Sequence, residues 1–195
     1  MTIFNTPILS GIFHILARIL MRLAGWRLEG KLPDLPKFVL IGAPHTSNWD
    51  FVLFLGIIFS LRANVRFMGK AELFRFPVGW FFRYCGGIPV DRKKSTGLVD
   101  QMVDAANKAD HFILTIAPEG TRHHVVEWKR GFYHIAKGAG IPIVMAVVDG
   151  RHREIRIGQV FQPGEDIEAD MKSIQTFFAG VVGVNPRRKY ITLGR

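Results

Sequence analysis

Residues 38–50 read FVLIGAPHTSNWD, and this stretch contains the pattern that decides the fold. The apolar run 38–43 has the length and composition of a buried strand. A polar turn follows it and leads into an apolar segment that starts at Trp49. The same succession of apolar run, polar turn and amphipathic segment recurs along the chain, which predicts an α/β fold around a largely parallel sheet.

The pattern assigns the remaining elements and the domain boundaries. Strands are predicted at 38–43, 65–68, 87–90, 112–117, 141–148 and 154–160. Helices are predicted at 49–61, 77–85, 96–109, 131–139 and 167–178. Because 195 residues fit one domain with a single core, we expect a single-domain sandwich in which helices flank the sheet. This domain is assigned to residues 29–195, and residues 1–28 form a separate N-terminal segment.

The composition indicates an anionic partner. Hydrophobic residues make up 48% of the chain, which excludes disorder, and 26 Lys and Arg against 16 Asp and Glu give a net charge of +10. Mean hydropathy is +0.16, and the basic residues stand beside aromatic and aliphatic ones, which favours a phospholipid surface over nucleic acid. Cys85 is the only cysteine, so we predict a small buried residue, no disulfide and a reducing, cytoplasmic setting.

The pattern of residues in the N-terminal segment predicts a basic amphipathic helix. Thr6 and Pro7 are typical of a helix N-cap and first helical residue. His14, Arg18 and Arg22 recur every four residues on one stripe, and most of the remaining surface is aliphatic. We expect the helix to lie in the membrane interface rather than to span it, placing the protein at the cytoplasmic face of the inner membrane as a peripheral or monotopic protein. The alternative is a helix packed on the core.

A second stretch, residues 62–84, mixes cations with aromatic side chains. The cations are Arg62, Arg66, Lys70, Arg75 and Arg83, and the aromatic residues are Phe67, Phe74, Phe76, Trp80, Phe81, Phe82 and Tyr84. One interpretation is a second membrane-facing patch, since aromatic rings and arginines suit the headgroup region. The other is that the aromatic residues are core and the charges are solvated. Both interpretations remain open at this point.

Three polar turns follow predicted strands, at the edge where parallel sheets bind ligands. In the first turn, His45 and Asp50 can meet if Ser47 is the N-cap of the next helix. A carboxylate at one imidazole nitrogen leaves the other free to accept a proton, so His45 has the chemistry of a general base. Alternatively, Ser47 and Asp50 form a capping box and His45 is an ordinary loop residue.

The other two turns offer groups that suit phosphate. Residues 119–122 read EGTR, with a glycine for close backbone approach and an arginine fork. Arg92 follows strand 87–90 and is itself followed by two lysines. Alternatively, Arg92 and the two lysines are simply solvent-exposed charges that bind no ligand.

Four blocks of sequence resemble the glycerolipid acyltransferase family, which includes bacterial 1-acylglycerol-3-phosphate acyltransferases. HTSNWD at 45–50 matches the His-x4-Asp block of that family. GGIPVDR at 86–92, PEGTR at 118–122 and GIPIV at 140–144 resemble the other three blocks, in the same order. The resemblance spans residues 39–149. It implies an O-acyltransferase of phospholipid biosynthesis or remodelling that uses acyl-CoA or acyl carrier protein as donor and a lysophospholipid as acceptor, with no cofactor and no metal.

The resemblance also implies roles for individual residues. His45 takes the proton of the acceptor hydroxyl and Asp50 orients His45. The residues assigned to the phosphate-bearing acceptor are Arg92, Glu119, Gly120, Thr121 and Arg122. Pro142 is assigned to the acyl side of the site. The chain departs from the family pattern at His123-His124, where Ser is common, and at Met145-Ala146, where a second proline is common.

Two further functions remain as alternatives. One is a metal-dependent hydrolase with His45, Asp50, His123 and His124 as ligands. The other is a basic module that binds lipid or nucleic acid without chemistry. The other histidines, His14, His111, His134 and His152, lack a metal-ligand pattern, and we expect each to be structural or solvent-exposed. The favoured partners are the membrane surface and the two lipid substrates, with no nucleic acid.

Overall fold

The computed structural model describes residues 2–90, 97–122, 125 and 127–186. The strands in these ranges are β1 (Arg27–Glu29), β2 (Lys37–Ala43), β3 (Val65–Lys70), β4 (Gly87–Val90), β5 (Phe112–Ile116), β6 (Ile143–Asp149) and β7 (Glu154–Phe161). The α-helices are α1 (Pro7–Leu23), α2 (Trp49–Ser60), α3 (Gly79–Tyr84), α4 (Leu98–Lys108), α5 (Gly131–Ala139) and α6 (Ile167–Phe177). Short 3-10 helices occupy Ile3–Asn5 and Ala71–Phe74.

The strands form one sheet with the order β1-β7-β6-β2-β5-β3-β4. The five strands from β6 to β4 are mutually parallel, whereas β7 returns antiparallel to β6 and carries β1 beside it. The predicted largely parallel sheet is therefore confirmed. The carboxyl ends of β2, β4, β5 and β6 lie at one edge, where the polar turns follow. The three-residue β1 was not predicted, because RLE has no apolar run.

Helices cover both faces of the sheet. On one face, α2 packs over Phe38 and Leu40 of β2; on the other, α4, α5 and α6 pack over Val39 and Ile41. Successive side chains of a strand point to opposite faces, so a strand covered on both faces is apolar without interruption. This explains why residues 38–43 read as a continuous apolar run.

The start of α2 corrects one prediction. Asn48, not Ser47, is the N-cap residue, and its side chain makes no capping hydrogen bond. Asp50 is consequently the second helical residue and not the third. Its carboxylate nevertheless reaches back over the preceding turn.

Helix α1 lies alongside α2 and leaves a broad apolar face exposed. Gly56 of α2 permits the close approach, since a Cβ there would lie 2.7 Å from Met21 Sδ of α1. Ala17 is buried against Phe59. The exposed side chains of the outer face include Ile8, Ile12, Ile15, Ile19 and Leu23. In the described part of the chain, no helix combines the length and apolarity needed to cross a membrane.

Candidate active site

His45 and Asp50 form a hydrogen-bonded pair at the carboxyl end of β2. His45 Nδ1 lies 2.9 Å from Asp50 Oδ2. The same carboxylate oxygen accepts hydrogen bonds from the Thr46 N–H at 2.6 Å and the Ser47 N–H at 2.8 Å. An ionised carboxylate can only accept, so Nδ1 carries the proton and Nε2 is left with its lone pair. This is the arrangement of a general base.

The two side chains differ in exposure. The His45 side chain is 31% exposed, whereas that of Asp50 is 9% exposed. Asp50 also lies in the first turn of α2, where the helix dipole favours negative charge. The imidazole is thus open to a substrate while its carboxylate partner is held inside.

Glu119, after β5, is in direct contact with the turn of His45. The His45 N–H donates to Glu119 Oε2 at 2.7 Å, across 74 residues of sequence. Burial raises the pKa of Glu119 to about 8 against the opposing effect of the His45 N–H, and the Asp50 charge adds to the rise. At neutral pH the Glu119 carboxyl is therefore protonated. Its contact positions the backbone of His45.

The turn after Glu119 requires a glycine. Gly120 has φ 65°, and a Cβ there would lie 2.8 Å from Lys129 Cδ. The Lys129 N–H donates to the Pro118 carbonyl at 2.9 Å, which fixes this lysine over the turn. Arg122, three residues after Glu119, is exposed. The sequence reasoning missed Lys129; the cation pair directly before α5 was the available signal.

Pro142 is not brought to this cluster. It precedes β6, and its carbonyl accepts from the Val39 N–H at 2.9 Å. In the parallel register Ile143 pairs with Val39 and Val147 with Ala43, so Pro142 lies at the opposite edge of the sheet. Strand β2 has seven residues, so strand rise separates the two edges by about 20 Å. The assignment of Pro142 to the acyl side of the site stays a prediction.

Three of the other candidate residues lie outside the described residues: Arg92, His123 and His124. Residues 2–90, 97–122, 125 and 127–186 contain no group of three His, Cys, Asp or Glu side chains that could hold a metal ion.

Residues 182–185, far along the chain, pack against the turn of His45. The Asn185 N–H donates to Thr46 Oγ1 at 3.0 Å, and a Cβ on Gly183 would lie 2.5 Å from that same oxygen. The Gly150 N–H donates to the Val182 carbonyl at 2.6 Å. Residues 182–185 therefore lie between the turn of His45 and the turn after β6. No motif in the sequence indicated this contact.

An apolar cavity of about 550 Å³ opens between α1 and α2. Its lining includes Leu20 of α1, Trp49, Val52 and Gly56 of α2, and Val184. Trp49 directly precedes Asp50 in α2, and Val184 directly precedes Asn185, which contacts Thr46, so two residues of the lining are sequence neighbours of residues at the turn of His45. A cavity of this size and lining suits an aliphatic chain.

The fold is similar to that of a lipid-modifying enzyme. The crystal structure of the 1-acyl-sn-glycerophosphate acyltransferase PlsC from Thermotoga maritima superposes with a TM-score of 0.64, covering 87% of this chain and 76% of that chain at 18% identity. At this identity the likeness establishes the fold. The mixed α/β architecture with a sheet flanked by helices is shared with that enzyme.

The sequence identifies the family. The family described as Acyltransferase matches residues 28–149. A 1-acyl-sn-glycerol-3-phosphate acyltransferase from Streptococcus pneumoniae is 30% identical over 149 residues, which are 71% of this chain and 54% of that protein. One from Haemophilus influenzae is 27% identical over 166 residues, 80% of this chain and 68% of that protein. The chain belongs to the acyltransferase family, and it spans about half the length of the Streptococcus relative.

Proposed function

We propose that the chain transfers a fatty acyl group from an acyl thioester, acyl-CoA or acyl carrier protein, to a hydroxyl of a lysophospholipid such as 1-acylglycerol-3-phosphate. The observation that carries the proposal is the His45–Asp50 pair at 2.9 Å, with a half-buried imidazole, next to the turn 119–122. The names of the two relatives support the acceptor.

The proposed reaction needs no protein nucleophile. His45 Nε2 accepts the proton of the acceptor hydroxyl while the oxygen forms a bond to the thioester carbonyl carbon. The tetrahedral intermediate then expels the thiolate as the C–S bond breaks, and the imidazolium returns the proton to sulfur. Asp50 stabilises the imidazolium and fixes its tautomer. General base catalysis of this kind contributes about 10²- to 10⁴-fold in rate.

The turn 119–122 is the proposed site of the acceptor phosphate. Gly120 has no side chain of its own, which leaves room for Lys129 over its backbone, and Arg122 offers a bidentate fork. Lys129 adds a cation beside Gly120. Since Glu119 is neutral below about pH 8, it does not repel the phosphate there. Fixed cations that hold the phosphate also place the hydroxyl at the base.

The cavity between α1 and α2 is the proposed site of the acyl chain. It adjoins Trp49, and its apolar lining extends from there along α1. Burying an acyl chain there releases water from apolar surface, at roughly 25 cal/mol per Å².

We also propose that α1 attaches the protein to the cytoplasmic face of the inner membrane, as a peripheral or monotopic protein. Its outer face exposes Ile8, Ile12 and Leu23, and no acidic residue precedes Glu29. Exposed Arg18 and Arg22 suit the anionic phosphates of that surface.

One experiment tests the activity directly. The purified protein is incubated with a set of lysolipids and isotope-labelled acyl thioesters, and the products are identified by mass. We expect labelled diacyl phospholipid from the wild type and none from His45→Ala, although this variant still binds lipid vesicles. Undiminished product from His45→Ala would contradict the mechanism. Loss of activity on chelation, restored by metal, would instead favour the metal-dependent hydrolase.

A further inference from the structure

The segment between β3 and β4 exposes five large apolar side chains. Phe76 is 96% exposed and Trp80 is 68% exposed. We call these residues together with Leu73, Val78 and Phe81, all exposed, the aromatic patch. Soluble surfaces rarely carry so many large apolar groups within one short segment, and such groups mark an interaction surface.

The aromatic patch is held by an ordered scaffold. Phe74 is buried, and a Cβ on Gly69 would lie 3.0 Å from its ring. Arg83 Nη1 donates to the Phe74 carbonyl at 2.8 Å, and its guanidinium lies 5.4 Å from the centre of the Phe74 ring. The Gly79 N–H donates to the Arg75 carbonyl at 2.8 Å. The same segment therefore buries Phe74 and presents the rings of Phe76, Trp80 and Phe81 to solvent.

The charge around the aromatic patch is positive. Lys70, Arg75 and Arg83 are exposed beside it. Between residues 61 and 90 the sequence has five cations and a single acidic residue, Glu72. Aromatic rings next to arginines and lysines are typical of groups at the level of lipid headgroups. An anionic lipid surface satisfies both the apolar and the cationic groups.

Helix α3, which carries Trp80 and Phe81 of the aromatic patch, lies next to the start of α1. Tyr84 at the end of α3 lies 3.3 Å from Thr6, through its hydroxyl and that of the threonine. The rings of Phe82 in α3 and Phe51 in α2 lie 5.6 Å apart. Helices α1, α2 and α3 thus lie next to one another, and Trp49, at the end of α2 that carries Asp50, is exposed. A flat bilayer could contact α1 and the aromatic patch together.

We propose that the aromatic patch is a second membrane contact, distinct from α1, which inserts Phe76 and Trp80 into an anionic lipid surface while Arg75 and Lys70 contact the phosphates. This inference rests on the membrane location proposed above and adds a second point of attachment to it. Two contacts orient the molecule as well as bind it, so the site faces the lipid from which its acceptor comes.

Site-specific labelling tests the proposal in the full chain. Cys85 is completely buried, and burial raises the pKa of its thiol to about 11, so it resists labelling. A single exposed cysteine introduced by Phe76→Cys can then carry an environment-sensitive dye. Ile12→Cys reports on α1, and Val160→Cys on β7 is the matched control at an exposed apolar position. The probes are vesicles of equal parts phosphatidylglycerol and phosphatidylcholine.

We expect the dye at position 76 to shift its emission to shorter wavelength on vesicles, and the dye at 160 to stay unchanged. A shift at 12 without one at 76 overturns this inference and leaves the α1 anchor standing, whereas a shift at 76 alone supports it and contradicts that anchor. No shift at either position overturns both. If the dye at position 76 shifts its emission without vesicles, and the shift grows with protein concentration, a second copy of the chain covers the aromatic patch. That result also overturns the proposal.

A binding measurement completes the test. The double variant Phe76→Ser/Trp80→Ser should bind the same vesicles at least about tenfold more weakly, because two large apolar side chains are lost from the interface. Val160→Ser should change binding by less than about twofold. Unfolding temperatures of both variants verify the fold. Equal vesicle affinity of the double variant and the wild type would overturn the proposal.

Discussion

Two histidine–aspartate pairs lie at the same edge of the sheet, and only one of them has the surroundings of an active site. His45 and Asp50 follow β2, whereas Asp149 and His152 lie at the end of β6, the neighbouring strand. His152 Nδ1 is 2.8 Å from Asp149 Oδ2, against 2.9 Å for His45 and Asp50. Both carboxylates are 9% exposed, and both also accept two backbone N–H groups.

The difference lies in what surrounds each imidazole. His45 is 31% exposed and touches the Glu119 turn through its backbone, and Trp49, the residue before its partner Asp50, lines the apolar cavity. His152 is 59% exposed in a hairpin turn between two exposed arginines. An imidazole–carboxylate hydrogen bond is therefore insufficient evidence for catalysis. A base needs groups that bring the substrate to it and walls that exclude water.

The largest expected effect on activity is the difference in kcat between variants of His45 and His152. His45→Ala should lower kcat about 10²- to 10⁴-fold, because the base that takes the hydroxyl proton is lost. His152→Ala should change kcat by less than about twofold. Steady-state acyl transfer with lysophosphatidate measures both variants. Comparable losses from the two substitutions would show that the pairs are functionally equivalent.

The arginine near each pair supplies the second comparison. Arg122→Ala should raise the KM for the phosphate-bearing acceptor about 10- to 100-fold, since charge-assisted hydrogen bonds to a phosphate are lost. The KM for the acyl donor should remain within about twofold. Arg151→Ala, beside the second pair, is the matched control and should leave both values unchanged. Equal increases in the two KM values of Arg122→Ala would refute the phosphate assignment.

A carboxyl group near the first pair gives a pH dependence that the second pair lacks. As the pH rises through about 8, Glu119 ionises, and its charge should raise the acceptor KM by up to about tenfold. Glu119→Gln keeps an acceptor for the His45 N–H and should remove this increase.

The free energy of unfolding should also change as Glu119 titrates. The unfolded chain releases this proton near pH 4.5 and the folded chain near 8, so the free energy of unfolding falls with rising pH between those values. Denaturation of the wild type and Glu119→Gln across this range measures the difference. Parallel pH profiles of KM and stability in the two proteins would count against a titrating Glu119.

The smallest effect on activity is expected at the second carboxylate. Burial acts to raise the pKa of Asp149, but hydrogen bonds from the His152 ring, the His152 N–H and the Arg151 N–H outweigh it and lower the pKa below its usual 3.8. These bonds stabilise the fold above that pH and are lost as the pH falls through the lowered value. Asp149→Asn should therefore lower the free energy of unfolding by about 1–2 kcal/mol at pH 7. As the pH is lowered, the free energy of unfolding of this variant should fall less than that of the wild type. Its acyl transfer rate should stay near that of the wild type, and a rate loss as large as that expected for His45→Ala would contradict this assignment.

The sequence predicted the order of elements well, because it rests on local patterns. Every predicted strand and helix is present, with ends that differ by a few residues, and α5 matches at both ends. The four motifs led to the family, which is confirmed. The N-cap of α2 was placed one residue too early because the Ser47 side chain accepts from the Trp49 N–H at 3.2 Å, as a capping residue does, although the helix begins after Asn48.

Contacts between distant residues could not be predicted in the same way. The Glu119 contact with His45 joins residues 74 apart, and the Asn185 contact with Thr46 joins residues 139 apart. Nothing in either local sequence indicates its partner. Pro142 shows that a motif residue can lie at the opposite end of a strand from the polar turns, a position that the motif alone does not indicate.

The contact between Asn185 and Thr46 has a consequence for how the protein is made. Synthesis must reach residue 185 before the turn that carries His45 acquires this hydrogen bond and the packing of Gly183 beside it. A nascent chain can therefore form its sheet before the turn of His45 is complete. The contacts around His45 and Asp50 are completed late in biosynthesis, after all the residues of α1 to α6 have been added to the chain.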